Sequence, residues 1–320
     1  MKLATRIDGS RDGQLVVVSR DLSSAHLADA IAPTLQRALD DWSFIAPQLE
    51  DLYQALNAGR ARHAFAFDAR QCAAPMPRAY QWIVVDAYPN HARLLASTDG
   101  VDPGGAGGAS DDFLGPCAEA RFGSEDWGID FGAQVAAIFD DVPAGAGAPA
   151  CASRLRLLML ANDWRLRRLD ADDPEGGARL VQRRPATAFS PVAATPDELG
   201  DAWRDGAVHR ALIVHWNGRK VGDADAGADL AFGFDALAAR AARTRGLRAG
   251  TILGCGTVSN RDPSRGWSCL AHKRALEAIS GGEPATPYAR FGDRVRIEML
   301  DADGASIFGA IDQEVAAQPR

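Results

Sequence analysis

Trp127-Gly128-Ile129-Asp130-Phe131-Gly132-Ala133-Gln134-Val135-Ala136-Ala137-Ile138-Phe139 closes on an apolar run, 134–139, of the length of a β-strand. A second run of the same kind, 155–160, leads into Ala161-Asn162-Asp163-Trp164. A carboxylate directly after a buried strand needs a partner, because desolvating it alone is costly. Arg167, four residues on, and a bound metal are the two candidates for Asp163.

Around these runs the chain reads as two regions, a small unit over 1–70 and a larger one over 71–320. In the first, 14–18 is a β-branched run that pairs with 2–7 across Asp8-Gly9-Ser10-Arg11-Asp12-Gly13. Thr34 is a plausible N-cap for a helix over 35–42, and 47–57 carries Leu49, Leu52, Tyr53 and Leu56 at helical spacing before Gly59. The larger region is dominated by strands and loops. Asn217-Gly218 between 209–216 and 219–222 predicts a type I′ hairpin. Another hairpin is expected from 294–300 and 307–311 across Asp301-Ala302-Asp303-Gly304. Helices are expected only over 234–244 and 271–279, and the Gly- and Ala-rich stretches 103–108 and 143–149 as surface loops.

The 320 residues carry 35 Lys and Arg against 42 Asp and Glu, a formal charge of −7, with 47% apolar residues. This acidic balance speaks against a nucleic-acid partner, and no apolar run approaches the length of a membrane span. The opening residues lack the apolar centre of a signal peptide. Five cysteines without a CxxC pair suit a reducing compartment, so a cytoplasmic location is expected. Buried, inert thiols are expected at Cys255 and Cys269.

Standard catalytic motifs are absent: no Walker A, GxSxG or HExxH pattern occurs. Gly254-Cys255-Gly256-Thr257 follows an apolar strand and reads as a tight backbone turn, with phosphate binding the alternative. Of the six histidines, His26, His63, His209 and His215 read as structural. His91, after Tyr88-Pro89-Asn90, sits in a loop context suited to a general base. His272 heads a helix and by composition reads as a surface residue.

Six blocks resemble the bacterial fumarylacetoacetate hydrolase family. They begin at Ala73-Ala74-Pro75-Met76-Pro77-Arg78, Ser110-Asp111-Asp112-Phe113, Trp127-Gly128-Ile129-Asp130-Phe131, Pro185-Ala186-Thr187-Ala188-Phe189, Gly256-Thr257-Val258-Ser259-Asn260 and Phe291-Gly292-Asp293-Arg294. The resemblance implies an α+β fold: a mixed β-roll of the fumarylacetoacetate hydrolase type, preceded by a small N-terminal α/β domain. It also implies a homodimer, and cleavage of a C–C bond in a β-diketo acid. In the family, carboxylates hold Mg²⁺ or Ca²⁺ and a histidine paired with a glutamate activates water.

Most of those positions differ here. By the resemblance, the metal carboxylates fall on Val84, Gly132, Gln134 and Asp163, so one of four remains. The histidine falls on His91 and its glutamate on His272. The substrate lysine falls on Arg184, and a substrate-touching tyrosine near Ala106. Gly256 and Thr257, which help hold the substrate carboxylate, are kept. Losing three anionic ligands removes what sets the affinity for a hard dication, so no tight Mg²⁺ or Ca²⁺ is expected at that position.

Three readings follow. In the first, the chain is a repurposed enzyme for a small oxo or carboxylic acid. Arg184, Gly256, Thr257 and Gln134 bind it, and His91 and His272 exchange protons without metal in isomerisation, cyclisation, decarboxylation or C–C cleavage. A variant of it joins Asp163 to these histidines as a transition-metal site. In the second, the chain is a non-catalytic binding protein. In the third, it is a surviving hydrolase whose metal rests on Asp86, Asp163, Gln134 and water.

Overall fold

The structure is a computed structural model that describes residues 1–96, 107–169 and 182–319. The expected substrate contact near Ala106 lies outside the described residues, as does most of the 103–108 loop.

The chain opens with an antiparallel hairpin of β1 (Lys2–Arg6) and β2 (Gln14–Val18), as the sequence predicts. Its turn needs Gly13, at φ +60°, because a Cβ there would stand 2.6 Å from the Arg6 carbonyl oxygen. Next come β3 (Ser24–Leu27), α1 (Leu35–Asp40), α2 (Trp42–Asn57) and β4 (Phe65–Ala66). The Thr34 hydroxyl accepts the Arg37 N–H at 3.2 Å and caps α1, as expected. Helix α2 begins five residues before Pro47 rather than at it. The hydrogen bond that Pro47 forfeits would have gone to exposed Ser43, whose carbonyl water can reach.

The larger region runs β5 (Trp82–Val84), α3 (Pro89–Ala96), β6 (Gly107–Gly108), β7 (Ala120–Phe122), β8 (Ile129–Asp130) and β9 (Ala133–Phe139). There follow α4 (Ala148–Ala152), β10 (Leu155–Leu166), β11 (Ala186–Phe189), β12 (Val192–Ala194), β13 (Trp203–Arg204) and β14 (Ala207–Val208). The chain closes with β15 (Ala211–Trp216), β16 (Arg219–Asp225), α5 (Phe234–Ala241), β17 (Thr251–Gly254), α6 (Leu270–Ile279), β18 (Arg294–Met299) and β19 (Ile311–Ala317). The Asn217-Gly218 turn has positive φ at both residues, 51° and 75°, as a type I′ hairpin demands.

Several elements differ from expectation, among them α4 at Ala148–Ala152, which overlaps the stretch 143–149 that the sequence predicts as a loop. Residues 89–96 form a helix, with Pro89 at the first helical position, where its missing N–H costs nothing. The strand paired with β18 starts at Ile311 instead of 307, because Gly309 at φ +72° interrupts the extended chain. Strand β10 continues six residues past Leu160, since its polar residues find buried partners described below.

The main sheet has the order β4-β3-β2-β1-β12-β10-β9-β17-β5-β6, with β11 and β8 also pairing with β10. A second sheet runs β16-β15-β18-β19-β7. Along β9 the side chains alternate between two cores. Ala133, Val135, Ala137 and Phe139 pack towards the second sheet with Leu212, Val214, Ile297 and Met299. Ala136 and Ile138 pack on the other face with Trp82, Val84 and Ala161, under Leu35, Leu49 and Tyr53 of the N-terminal helices. Gln134, Asp163 and Arg165 are spaced by twos from Ala136 and Ala161, so they extend that second face into polar territory.

Candidate active site

Asp163 and Arg165, two apart on β10, stand on one side of the strand, and Arg165 Nη2 lies 3.2 Å from Asp163 Oδ2. Arg184 Nη1 is 3.6 Å from the same oxygen, and the Thr187 hydroxyl donates to Oδ1 at 3.3 Å. All four residues are buried. Arg167 therefore does not pair with Asp163, contrary to one sequence reading. A spacing of four brings side chains together on a helix, whereas this segment is a strand followed by a turn. Arg167 instead reaches Asp130 at 3.0 Å. The Asp130 carboxylate also accepts the N–H groups of Leu270 (2.7 Å) and Ala271 (3.3 Å), which anchors the start of α6.

That anchor brings the two histidines into one neighbourhood. His91 Nε2 lies 3.7 Å from Cys269 Sγ, and that sulfur accepts the His272 N–H at 3.3 Å as the cap of α6. The Asn90 amide donates to Ser259 Oγ (2.9 Å) and the Asn260 carbonyl (2.8 Å), tying α3 to the chain just beyond Thr257. His91 thus sits on a helix rather than a loop, and His272 is buried instead of on the surface. Their positions follow from the apolar residues beside them: Leu94 and Leu95 on α3, Leu270 and Ala271 on α6.

Burial holds the His91 imidazole well below its ordinary value, and Arg165, Arg167, His272 and Arg184 push the same way. Burial alone lowers His272 to about 4. Both rings are therefore neutral near pH 7. Cys269 and Cys255 remain thiols, lifted by burial to about 12 and about 11.

These shifts set a pH dependence. Below an unfolded value near 6.5, the unfolded chain takes up protons that folded His272 refuses, so stability falls as pH drops from 6.5 towards 4. His272 contributes on the order of 3 kcal/mol to that loss. Above 6.5 it contributes nothing. Urea unfolding at pH 7 and pH 4.5 should show a smaller drop for His272→Gln than for the wild type, and equal drops would refute the assignment.

The turn after β17 completes the site. Gly256 adopts φ +82°, and a Cβ there would meet Asp86 Oδ1 at 2.7 Å, so the tight-turn reading of this motif holds. The Gly256 N–H donates to Gln134 Oε1 at 2.9 Å. Gln134 Nε2, Thr257 Oγ1, Ser268 Oγ, His272 Nδ1 and Asp86 Oδ1 are buried atoms with no hydrogen-bond partner among the described residues. At Gly132 an ideal Cβ would lie 2.9 Å from the Asp163 carbonyl oxygen and 3.2 Å from Thr257 Oγ1. That position therefore faces Thr257 but has no room for a side chain unless the backbone shifts.

The structure thus joins His91 and His272 through Cys269, Asp163 with Arg165 and Arg184 in one set of ion pairs, and Gln134, Gly256, Thr257 and Asp86 around one turn. Among the described residues, no group of three His, Cys, Asp or Glu side chains stands ready to hold a metal ion. His26 is structural, its ring nitrogens each 2.6 Å from a backbone carbonyl, of Leu27 and Arg62. Sequence reasoning missed Arg165. Its signal was there: a basic residue two beyond Asp163 in an apolar strand shares that residue's face. Also missed was Asp130, whose role depends on a helix start that is distant in sequence.

Comparison with known proteins matches this architecture. Residues 1–78 match the family model for the fumarylacetoacetase N-terminal domain 2, and residues 82–316 that for the fumarylacetoacetate hydrolase C-terminal domain. No curated protein matches the chain significantly. Among solved structures, a maleylpyruvate hydrolase from Sphingobium sp. SYK-6 is 17% identical with a TM-score of 0.68, over 99% of this chain and 100% of that one. The same hydrolase in complex with manganese(II) and pyruvate aligns at 16% identity and TM-score 0.67, over 100% of both chains. A probable 2-hydroxyhepta-2,4-diene-1,7-dioate isomerase from Mycobacterium abscessus is 17% identical with a TM-score of 0.69, again over 100% of both. At such identities these structures establish a shared fold. No described helix is long and apolar enough to cross a membrane.

Proposed function

Since the chain belongs to the fumarylacetoacetate hydrolase family, whose fold serves hydrolases and isomerases of small acids, we propose that it is a divergent enzyme of that kind. In this reading it acts on a small oxo acid by proton transfer through His91 and His272, without a divalent metal. The observation that carries the proposal is a pair of buried polar atoms at the turn after β17, Gln134 Nε2 and Thr257 Oγ1, with no hydrogen-bond partner among the described residues, beside a like atom, His272 Nδ1, in the first turn of α6. Leaving such groups unsatisfied is costly, and a polar ligand relieves that cost.

The donor set suits an oxo acid better than a hard dication. Such an ion seeks a cage of oxygens, mostly carboxylates. Val84 offers an apolar side chain, Gly132 none, Gln134 an oxygen already given to Gly256, and Asp163 a carboxylate held by two guanidiniums. No step is therefore assigned to a metal.

The chain's own groups supply the chemistry. His91 and His272, both neutral, are ready to accept a proton and not to give one. A proton drawn from the carbon beside a substrate carbonyl converts one imidazole into imidazolium, and the same ring returns the proton elsewhere. Such transfer serves isomerisation directly and prepares decarboxylation or C–C cleavage. The developing oxyanion is stabilised by donors already desolvated.

Maleylpyruvate, fumarylpyruvate and related acylpyruvates, incubated with the purified protein and followed by chromatography, test the reading. Turnover that persists in excess chelator, by protein with no stoichiometric metal on mass spectrometry, is the expected result. Turnover abolished by the chelator and restored by Mg²⁺ or Mn²⁺ would replace this reading with metal-dependent hydrolysis.

A further inference from the structure

Resting on the oxo-acid reading above, we propose that Gln134 is the specificity-determining residue of the site. Its amide hydrogens and the Thr257 hydroxyl together receive a carbonyl or carboxylate oxygen of the ligand and turn away a cation. A carboxamide has one accepting and one donating end, and their order depends on what surrounds them. Here it is set. Oε1 accepts the Gly256 N–H at 2.9 Å, and a flipped amide would oppose two donors.

The space for Oε1 exists because residue 254 is glycine. A Cβ there would lie 2.5 Å from Gln134 Oε1 and 2.5 Å from Trp82 Cη2. Nε2 is thereby left as the free end, wholly buried and without a partner among the described residues. Thr257 follows Gly256 directly, and its hydroxyl oxygen is likewise buried and unpartnered. Position 132, which faces that hydroxyl, is two residues before Gln134 and shares its side of the chain. Two desolvated donors thus serve one face. An acceptor oxygen satisfies both, whereas a cation would meet the amide hydrogens of Gln134.

The test compares the full-length wild type with Gln134→Glu, Gln134→Met and Thr257→Val. Pyruvate serves as a probe by ligand-observed NMR, and oxalate, Mg²⁺ and Mn²⁺ by calorimetry. Thermal melts identify variants that remain folded. Gln134→Met keeps the length of the side chain without charge or donor, so it carries the test if Gln134→Glu fails to fold. The expected result is binding of the acids to the wild type, weakened about tenfold or more by Gln134→Met and by Thr257→Val. Unchanged pyruvate and oxalate affinity in folded Gln134→Met would overturn the role of Gln134. If Thr257→Val still weakened binding, the oxo-acid site would stand without it. Stoichiometric Mg²⁺ or Mn²⁺ on the wild type, lost in Gln134→Met, would reverse the assigned polarity. A wild type that binds neither acid would remove the oxo-acid reading itself, and this inference with it.

Discussion

Replacing Asp163 by Asn should lower the stability of the protein by about 3–5 kcal/mol, whether or not any metal is present. The carboxylate is completely buried and sits against Arg165 at 3.2 Å and Arg184 at 3.6 Å, with Thr187 donating to its second oxygen. Asparagine preserves the shape and removes the charge, so two guanidiniums lose an anion in a poorly solvated place. Breaking a buried pair from one side is much worse than never having built it. Urea unfolding of wild type and variant, each with and without chelator, gives the answer. A loss that disappears in chelator would identify Asp163 as a metal ligand. A loss under 1 kcal/mol would show that the ion pairs carry little of the local structure. By sequence, Asp163→Ala is expected to affect turnover only if a metal is used; the loss of stability expected here follows instead from the arginine partners of Asp163.

The second large effect is catalytic. His91→Ala should reduce turnover of any oxo acid found to be a substrate by about 10²- to 10⁴-fold, the usual contribution of a positioned acid–base group. Because His91 is buried against Cys269, alanine also leaves a cavity, so His91→Gln should accompany it as the better-packed control. Both variants should be inactive while remaining folded. The residual pH profile of the wild type carries a second signature. A base held below its ordinary range stays deprotonated through neutral pH, so activity should be flat from pH 7 to 8 and decline only on the acid side. An active, folded His91→Gln protein would exclude proton transfer at this ring.

Much of the local structure could be read from the chain. The 14–18 strand, the Thr34 cap and the Asn217-Gly218 turn are set by neighbours a few residues away, so spacing and residue type suffice to find them. Polar residues resisted the same treatment. Strand β10 runs on through Asn162, Asp163 and Arg165 because each finds a buried partner. Asn162 accepts the Gly132 N–H at 3.1 Å, and Asp163 and Arg165 pair with each other. Periodicity registers apolar residues, and it fell silent where the strand turned polar. The helix at 89–96 escaped for a related reason: Pro89 and Asn90 suggest a turn, while Asn90 is in fact committed to Ser259 and Asn260.

By itself, the sequence determined the family and the α+β class, because these depend on residue identity and order. The tertiary structure alone decided how the side chains of the candidate site are used. It paired Asp163 with Arg165 rather than Arg167, and drew His272 under cover beside His91. It also turned the Gln134 amide so that its oxygen serves Gly256 and its nitrogen remains open. The physical reason is that charge state and hydrogen-bond polarity depend on burial and on partners distant in sequence, and only the packed chain brings those partners together.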